Sequence, residues 1–297
     1  MAIQISICVC TYRRPGVVNT VHSLFAQAGL SHSDLEIIVA DDDPELSARG
    51  PILKLAEHAP IEVRYVVSGA RNISICRNIC LKAARGVWVA FIDDDQVAEP
   101  NWLQEMISTS TEFGADAVQC YVRAIYPPET PDWIRAGKAY TNDYGQTGKE
   151  VLIAGTGGIL LRRDFLGARA LLFDVSLGIT GGEDFEYFIR YRQLGGKIVS
   201  CRTAVANEIV APDRVNPMYL KRRFRGFGHV NGCVLIAKKT LLGRSMSILK
   251  SIVAVTVTCP YAGVRIFDKA MACRLFIKFW HHFGVLEWAM GRVSLPH

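Results

Sequence analysis

The sequence predicts an α/β fold: a parallel central sheet flanked by helices and followed by an amphipathic helical C-terminal extension. Three observations predict it. Four short apolar runs, at 5–12 (ISICVCTY), 35–40 (LEIIVA), 61–67 (IEVRYVV) and 87–92 (VWVAFI), have the continuous hydrophobicity of strands buried on both faces. Helical patterns lie between them, an alternation that argues a parallel sheet. Two of the runs end in three consecutive aspartates, Asp41-Asp42-Asp43 and Asp93-Asp94-Asp95. Ligands of open α/β sheets bind at such carboxyl ends of strands.

Taken in order, residues 15–28 set Val17, Val18, Val21, Leu24 and Phe25 on one helical face. Residues 73–84 do the same with Ile73, Cys76, Ile79, Cys80 and Ala83, a spacing that packs a helix against a sheet. From about residue 115 the pattern changes to an apolar run at 116–122, a loop with Pro127, Pro128 and Pro131, and a second run at 151–163. Residues 183–194 predict a helix stopped by Gly195-Gly196, and 197–201 a further strand. Residues 251–264 carry no charge but fall short of the roughly 20 apolar residues of a spanning helix, and Pro260 interrupts them. Residues 265–292 mix Arg265, Lys269, Arg274, Lys278 and Arg292 with Phe267, Leu275, Phe276, Trp280, Phe283 and Trp288. That blend suits a helix lying at a membrane surface, or else a helical cap on the preceding domain.

A chain of 297 residues, 50% hydrophobic and 21% charged, buries a core without staples. This excludes a disordered chain, a collagen and a disulfide miniprotein. Nine cysteines behind a start (MAIQISI) with no charged leader suggest a cytosolic protein with reduced thiols. Charge is split: residues 1–211 hold 20 basic against 25 acidic side chains, and 212–297 hold 14 against 3. An acidic front and a basic, apolar back imply two tasks, the second toward an anionic surface.

Consecutive carboxylates repel one another, so a triplet is unfavourable unless a cation or donor compensates it. A solvated turn is the other account of each, because aspartate favours turns; two at equivalent strand ends favour a ligand site. Within the second triplet, alternate Asp93 and Asp95 can face one hard cation, Mn²⁺ or Mg²⁺, and an acidic pocket needs such an ion to accept a diphosphate.

These residues belong to a longer ordered set: ISICVCTYRRP, IIVADDDPE, RNICLKAARGVWVAFIDDD, AGTGGILLRRDFL and GGEDFEYFIRYRQLGGKI. In order and spacing, over roughly residues 3–225, the set resembles the family-2 glycosyltransferases, whose nucleotide-diphospho-sugar transferase (GT-A) fold implies a mixed, mostly parallel central sheet flanked by helices. The resemblance implies a GT-A catalytic domain at 1–211, with a nucleotide-sugar half at 1–115 and an acceptor half at 116–211. A basic, membrane-associated helical region at 212–297 would follow. It implies Thr11 and Arg13 along the nucleotide, Asp42 accepting a hydrogen bond from a uracil base with Asp41 beside it, and Arg77 facing the diphosphate. Asp93 would lie near ribose or sugar hydroxyls with Asp94 in the same set, and Asp95 would be the principal metal ligand. Asp184 would be the general base, Glu183 would orient hydroxyls, and Thr156 and Gly157 would shape the acceptor pocket.

Two departures stand out. Cys80 occupies a position that is often glycine in the family. AVANEIV offers Glu208, with Asn207 nearby, where many relatives carry a metal-binding histidine. The segment PDRVNPMYLKRRFRGFG resembles exopolysaccharide-type members such as succinoglycan glucosyltransferases, with Arg214, Arg222 and Arg223 toward the donor diphosphate or a lipid phosphate. By resemblance the activity is inverting, metal-dependent transfer of a hexose from a UDP-sugar, UDP-glucose for preference. The acceptor would be a glycan or polyprenyl-linked oligosaccharide at the inner face of the cell membrane.

A sugar-phosphate nucleotidyltransferase should carry a glycine cluster after the first strand, which CTYRRPG lacks, and a non-catalytic membrane-associated scaffold has no reason to keep Asp42, Asp95 and Asp184 together. Glu183-Asp184 could simply complement a helix dipole. Cys8, Cys10, Cys76 and Cys80 lack zinc-site spacing and suit core packing. His281-His282 suit an interfacial role rather than metal binding. Lys221-Arg222-Arg223 with Arg225 lies in no nucleic-acid module and fits a phosphate-bearing ligand or headgroup better than nucleic acid.

Overall fold

The computed structural model describes residues 3–167, 171–258 and 268–292. These form two compact units, one of Met1–Arg123, Thr141–Ile179 and Glu183–Ile209, the other of Ala124–Tyr140, Thr180–Gly182 and Val210–His297.

The first unit is built on β1 (Ile5–Thr11), β2 (Leu35–Asp41), β3 (Glu62–Val67), β4 (Trp88–Asp93), β5 (Gln96–Ala98), β6 (Ala117–Ile125), β7 (Ile159–Arg162) and β8 (Ile198–Ile209). They make one 8-stranded sheet in the order β3-β2-β1-β4-β7-β6-β8-β5. β3, β2, β1 and β4 run parallel, whereas β4–β7, β6–β7 and β5–β8 pair antiparallel. The mixed α/β sheet that the resemblance implies is therefore present. Its helices are α1 (Val17–Leu24), α2 (Arg49–Ala56), α3 (Ile73–Ala83), α4 (Trp102–Phe113), α6 (Arg163–Gly167) and α7 (Glu183–Gln193), with α5 (Asp132–Gly137) in the second unit.

The period of two sorts side chains to the two faces of the sheet. Ile5, Ile7 and Val9 of β1 and Leu35, Ile37 and Val39 of β2 join α1 and α4 in one core. Cys8, Ile38 and Ala40 join α3 and α7 in the other. Cys76 and Cys80 lie in that second core, and Cys10 Sγ sits 3.9 Å from Cys80 Sγ, so the cysteines pack as small apolar residues. Away from the strand ends with the aspartates, buried Glu36 takes Ser6 Oγ at 2.5 Å, Arg64 Nη1 at 2.9 Å and Arg85 Nε at 2.8 Å. That buried carboxylate thereby ties β1, β2 and β3 to the turn before β4, with its charge balanced by two guanidiniums.

The second unit holds α5, α8 (Pro217–Asn231), α9 (Leu241–Thr258) and α10 (Lys269–Ala289), with a π-helical turn at Gly232–Ile236. Glycines set how α8 meets α10. A methyl on Gly228 would come within 1.8 Å of His281 O, and one on Gly284 within 1.9 Å of Arg225 O. The backbones thus touch where only hydrogen fits, beside an Arg225–Glu287 ion pair.

Of the two readings of 265–292, a membrane-surface helix or a helical cap, the packing of its described part favours the cap. α10 packs into its unit through Trp133–Phe276, Phe279–Trp280 and Trp280–Phe283 ring contacts, with Cys273, Val285 and Glu287 buried. The exposed apolar surface belongs instead to α9, at Leu241, Leu242, Met246, Leu249, Ile252, Val253 and Val257. Among the described residues α9 alone is long and apolar enough to cross a membrane by length and composition, at mean hydropathy 1.3. The helix starts ten residues before the uncharged run at 251–264, which is why that run alone looked too short. Pro260, Arg265 and Phe267 lie outside the described residues.

Candidate active site

The aspartate triplets sit at the carboxyl ends of β2 and β4, flanking β1 on either side. Within the first triplet, neighbouring carboxylates have different duties. Asp41 is fully buried and accepts from the backbone N–H of Asp43 and Ala48, each at 2.9 Å, and from Tyr65 Oη at 2.7 Å. It therefore shapes its own loop beside Asp42. Asp42 donates its N–H to Thr11 O and accepts from Ser68 Oγ at 2.7 Å. Burial pushes its carboxyl up, against the hydrogen bonds of Ser68 and of the Ala70 and Asn72 N–H groups. Asp43 pairs with Arg13 Nε at 3.2 Å, and Arg13 Nη2 reaches Glu45 Oε1 at 2.7 Å.

The second triplet is more strongly perturbed. Burial, then the charge of Asp95, push Asp93 up to about 8 while Arg77 pulls the other way. Burial pushes Asp94 up to about 6, against Arg14 and the hydrogen bond from Thr11 Oγ1, 2.8 Å away. Glu208 of β8 stands opposite Gln96 of β5, Ile209 N–H donates to Asp95 O at 2.9 Å, and the Glu208 charge is felt at Asp93.

Carboxylates crowded this closely in a low-dielectric corner are short of positive charge. All the donors are hard oxygens, so the residues fit Mg²⁺ or Mn²⁺. Among the described residues no three Asp, Glu, His or Cys form a ready cage for a metal. A Mg²⁺ ion beside phosphates is usually held by one or two carboxylates, with phosphate and water completing its shell. Asp95 and Glu208 are the residues that would hold it.

A glycine-rich segment spans the gap to α7. A methyl on Gly157 would lie 2.8 Å from Asp93 Oδ2, and one on Gly155 3.3 Å from Asp184 Oδ2. Only bare backbone fits between the two carboxylates. Buried Gln119 holds this segment, accepting from Gly155 N–H at 3.0 Å and donating to Gly157 O at 3.2 Å and Gly158 O at 3.0 Å. Thr156 beside them is buried. At the start of α7, Glu183 pairs with Arg77 of α3. Burial works against the Arg77 charge, but Glu183, Asp184 and Asp93 outweigh it and raise its pKa. Burial and the neighbouring Glu183 charge push Asp184 up to about 6, again against Arg77. Arg77 is thus the positive centre among three carboxylates.

The first unit accordingly holds Thr11, Arg13, Asp42, Arg77, Asp93, Asp94, Asp95, Thr156, Gly157, Glu183, Asp184 and Glu208. Arg214, Arg222 and Arg223 belong to the second unit. There Arg214 and Arg222 lie over Tyr219, and Arg223 over Tyr140 and Phe227. The Nε atom of Arg223 is buried with no hydrogen-bond partner among the described residues.

Sequence reasoning missed three residues here. Arg14 pairs with Asp94 at 3.1 Å and also with Asp95, Gln119 braces the glycine segment, and Tyr144 has its hydroxyl pKa raised by burial and then by Asp184. For Arg14 the signal was its place in a motif already quoted; Gln119 and Tyr144 gave none.

Comparison with known proteins follows the same lines. A family profile described as "Glycosyl transferase family 2" matches residues 6–169. The chain is 35% identical over 291 residues to the succinoglycan biosynthesis protein ExoM of Rhizobium meliloti (strain 1021), covering 97% of this chain and 94% of that one. Among solved structures it is similar to the mannosyltransferase PcManGT of Pyrobaculum calidifontis in complex with GDP-Man and Mn²⁺. The TM-score is 0.67 at 14% identity, over 99% of this chain and 89% of that one. It is also similar to S. aureus TarS 1-349 in complex with UDP-GlcNAc, at TM-score 0.56 and 14% identity over 98% and 93% of the two chains. Against a longer TarS chain it spans 44% of that protein.

Proposed function

The chain belongs to glycosyl transferase family 2, and from that premise we propose that it transfers a hexose, with inversion, from UDP-glucose to a lipid-linked glycan in bacterial exopolysaccharide or surface-polysaccharide biosynthesis. The observation that carries the reading is the continuous line of carboxylates from Asp42 through the β4 triplet to Asp184. Two of them, Asp93 and Asp184, lie against the backbone of one glycine segment, at Gly157 and Gly155 respectively. Support for a polysaccharide product comes from the ExoM relative, named for succinoglycan biosynthesis. Support for a nucleotide-sugar and a divalent ion comes from the ligands named with the TarS and PcManGT structures. We assign catalysis to residues 1–211, donor side in 1–115 and acceptor side in 116–211, and membrane association to 212–297.

On this reading Asp42 accepts a hydrogen bond from the uracil base, while Thr11 and Arg13 border the nucleotide. Asp93 and Asp94 face ribose and sugar hydroxyls, and Asp95 with Glu208 holds the ion. Mn²⁺ or Mg²⁺, when bound, stabilises the negative charge of the departing nucleoside diphosphate. Asp184 takes the proton of the acceptor hydroxyl as that oxygen attacks the anomeric carbon. A carboxylate that ionises near pH 6 is matched to this task, being ionised yet still basic at neutral pH. Glu183, fixed by Arg77, orients the hydroxyl, and Thr156 and Gly157 border the acceptor. One base acting opposite the leaving group gives inversion. Arg214, Arg222 and Arg223 bind phosphate, of the donor or of the acceptor's lipid carrier.

The membrane part of the proposal rests on α9. Its exposed apolar residues lie in a stretch, 214–267, that contains no Asp or Glu, a composition suited to an anionic bilayer surface. The test of the whole reading is UDP release from a panel of nucleotide sugars with Mg²⁺ or Mn²⁺, with linkage and anomer of the product read by NMR. We expect turnover that chelator abolishes and Asp95→Asn eliminates. Absence of turnover and of nucleotide binding with every donor overturns the reading.

A further inference from the structure

The loop between β1 and α1 carries two adjacent arginines that diverge to opposite partners. Arg13 has φ 51, in the left-handed region that side chains seldom adopt. That turn sends Arg13 to Asp43 and Glu45 beyond β2 and Arg14 to Asp94 and Asp95 beyond β4. Consecutive residues of one loop therefore clamp both acidic triplets. Left-handed backbone at a non-glycine residue is unfavourable by about 1 kcal/mol or more, and such strain gathers where a loop has work to do.

The partners of Arg14 matter most. Asp94 Oδ2 is taken by Thr11 Oγ1, leaving Oδ1 for Arg14 at 3.1 Å, and the same guanidinium nitrogen reaches Asp95 Oδ2. These are oxygens that a divalent ion beside Asp95 would use. A guanidinium does not shed its proton in a protein. Arg14 cannot leave by neutralising itself; it can leave only by swinging away. Its side chain is 34% exposed, so it borders solvent. A diphosphate arriving with the metal offers paired oxygens of the geometry a guanidinium binds in bidentate fashion.

We propose that Arg14 is the resident counter-ion of Asp94 and Asp95 in the unliganded enzyme, and that donor binding transfers its guanidinium from those carboxylates to the diphosphate. One side chain then couples two binding events. Metal alone must compete with Arg14 for its oxygens, while metal and nucleotide together provide the arginine with a new partner. The inference rests on the proposal that Asp95 holds a divalent ion.

The test is binding, free of turnover. Mn²⁺ affinity is measured by the EPR signal of free Mn²⁺ without nucleotide, and UDP affinity by calorimetry at saturating Mn²⁺, for wild type, Arg14→Gln, Arg14→Lys and Asp95→Asn. Removing one positive charge from beside the ion should tighten Mn²⁺ about tenfold in Arg14→Gln while weakening UDP about tenfold. Arg14→Lys, which keeps the charge but not the fork, should tighten Mn²⁺ by about threefold and weaken UDP. Circular dichroism and melting temperature establish that each variant is folded, and either arginine variant suffices. Mn²⁺ binding that is unchanged or weaker in the folded variants overturns the counter-ion role, as does unchanged UDP affinity. If Asp95→Asn binds Mn²⁺ like wild type, the metal proposal itself fails, and that result is distinguishable because it does not involve Arg14.

Discussion

Replacing Asp184 by asparagine separates two consequences of the environment at the start of α7. In the wild type, burial and Glu183 push the carboxyl up to about 6 against the pull of Arg77. A base with that value is half ionised at pH 6 and about one-tenth ionised at pH 5. The kcat should therefore climb roughly tenfold from pH 5 to 7 and level off above. The asparagine has no proton-accepting carboxylate, so kcat should fall about 10²–10⁴-fold at pH 7 and lose this slope.

Stability should move the other way. Between 3.8 and about 6 the folded protein retains a proton that the unfolded chain releases, so this group makes the protein less stable as pH rises through that window. The displacement corresponds to about 3 kcal/mol. Asp184 is only half-buried, and water screening leaves roughly 1–2 kcal/mol. The variant escapes that penalty, so it should exceed wild type by about this amount at pH 7.5, with the gap closing toward pH 4. Initial rates of UDP release across pH 5–8 and urea melts at both ends of the range measure the two effects. A variant kcat within about fivefold of wild type, or a wild-type kcat flat from pH 5 to 7, refutes the assignment of Asp184 as base.

Three further outcomes follow from particular contacts. Gly157→Ala puts a methyl 2.8 Å from Asp93 Oδ2 and 3.0 Å from Gln96 Nε2; donor affinity measured by calorimetry should drop about tenfold, and unchanged affinity would remove Asp93 from the donor site. Gly228→Ala meets the backbone oxygen of His281 at 1.8 Å, so α8 and α10 must part, at roughly 1–3 kcal/mol of overpacking; a calorimetric melt that does not shift would show the crossing to be looser than described. Leu249→Glu with Val253→Glu places charge on the exposed face of α9 and should lower co-sedimentation with phosphatidylglycerol-containing vesicles about tenfold, whereas full binding would move the membrane contact off this helix.

Which elements the sequence disclosed follows from what each one buries. The strands β1, β2 and β4 stand out as apolar runs because both of their faces are covered. No sequence pattern marked α4, for a local reason. Two of its five buried positions are Thr109 and Ser110, whose hydroxyls are satisfied by Cys201 Sγ and Ala115 O, and polar residues on the inner face erase the 3.6-residue apolar period. Helix α2 opens on Arg49, Gly50 and Pro51 and buries only Ile52, so it had no stripe to detect. The strand expected at 197–201 runs on to Ile209, because exposed Arg202 and Thr203 interrupt its alternation without interrupting the strand. In α10, charge interleaved with aromatics looked interfacial; the glycines at 228 and 284 bring α8 close enough to cover it, and that is a property of a pair of helices, not of one.

The acidic half of the site was legible because repulsion makes it conspicuous: three aspartates in a row require compensation wherever they occur. The compensation itself was not, since a cation can come from anywhere in the fold. Arg77 lies 106 residues from Glu183, its partner, and Arg14 lies 81 residues from Asp95. Motif order could bring Arg77 into the site, but only the folded loop distinguishes the two neighbouring arginines, which the sequence presents as equivalents and the backbone at Arg13 turns toward different triplets. Charge-reversal pairs can exploit this. Arg14→Glu with Asp95→Arg should restore part of the melting temperature lost in each single variant, since the pair is then re-formed with its signs exchanged. The double variant should nevertheless bind no divalent ion, because the ion tolerates no guanidinium in place of its carboxylate.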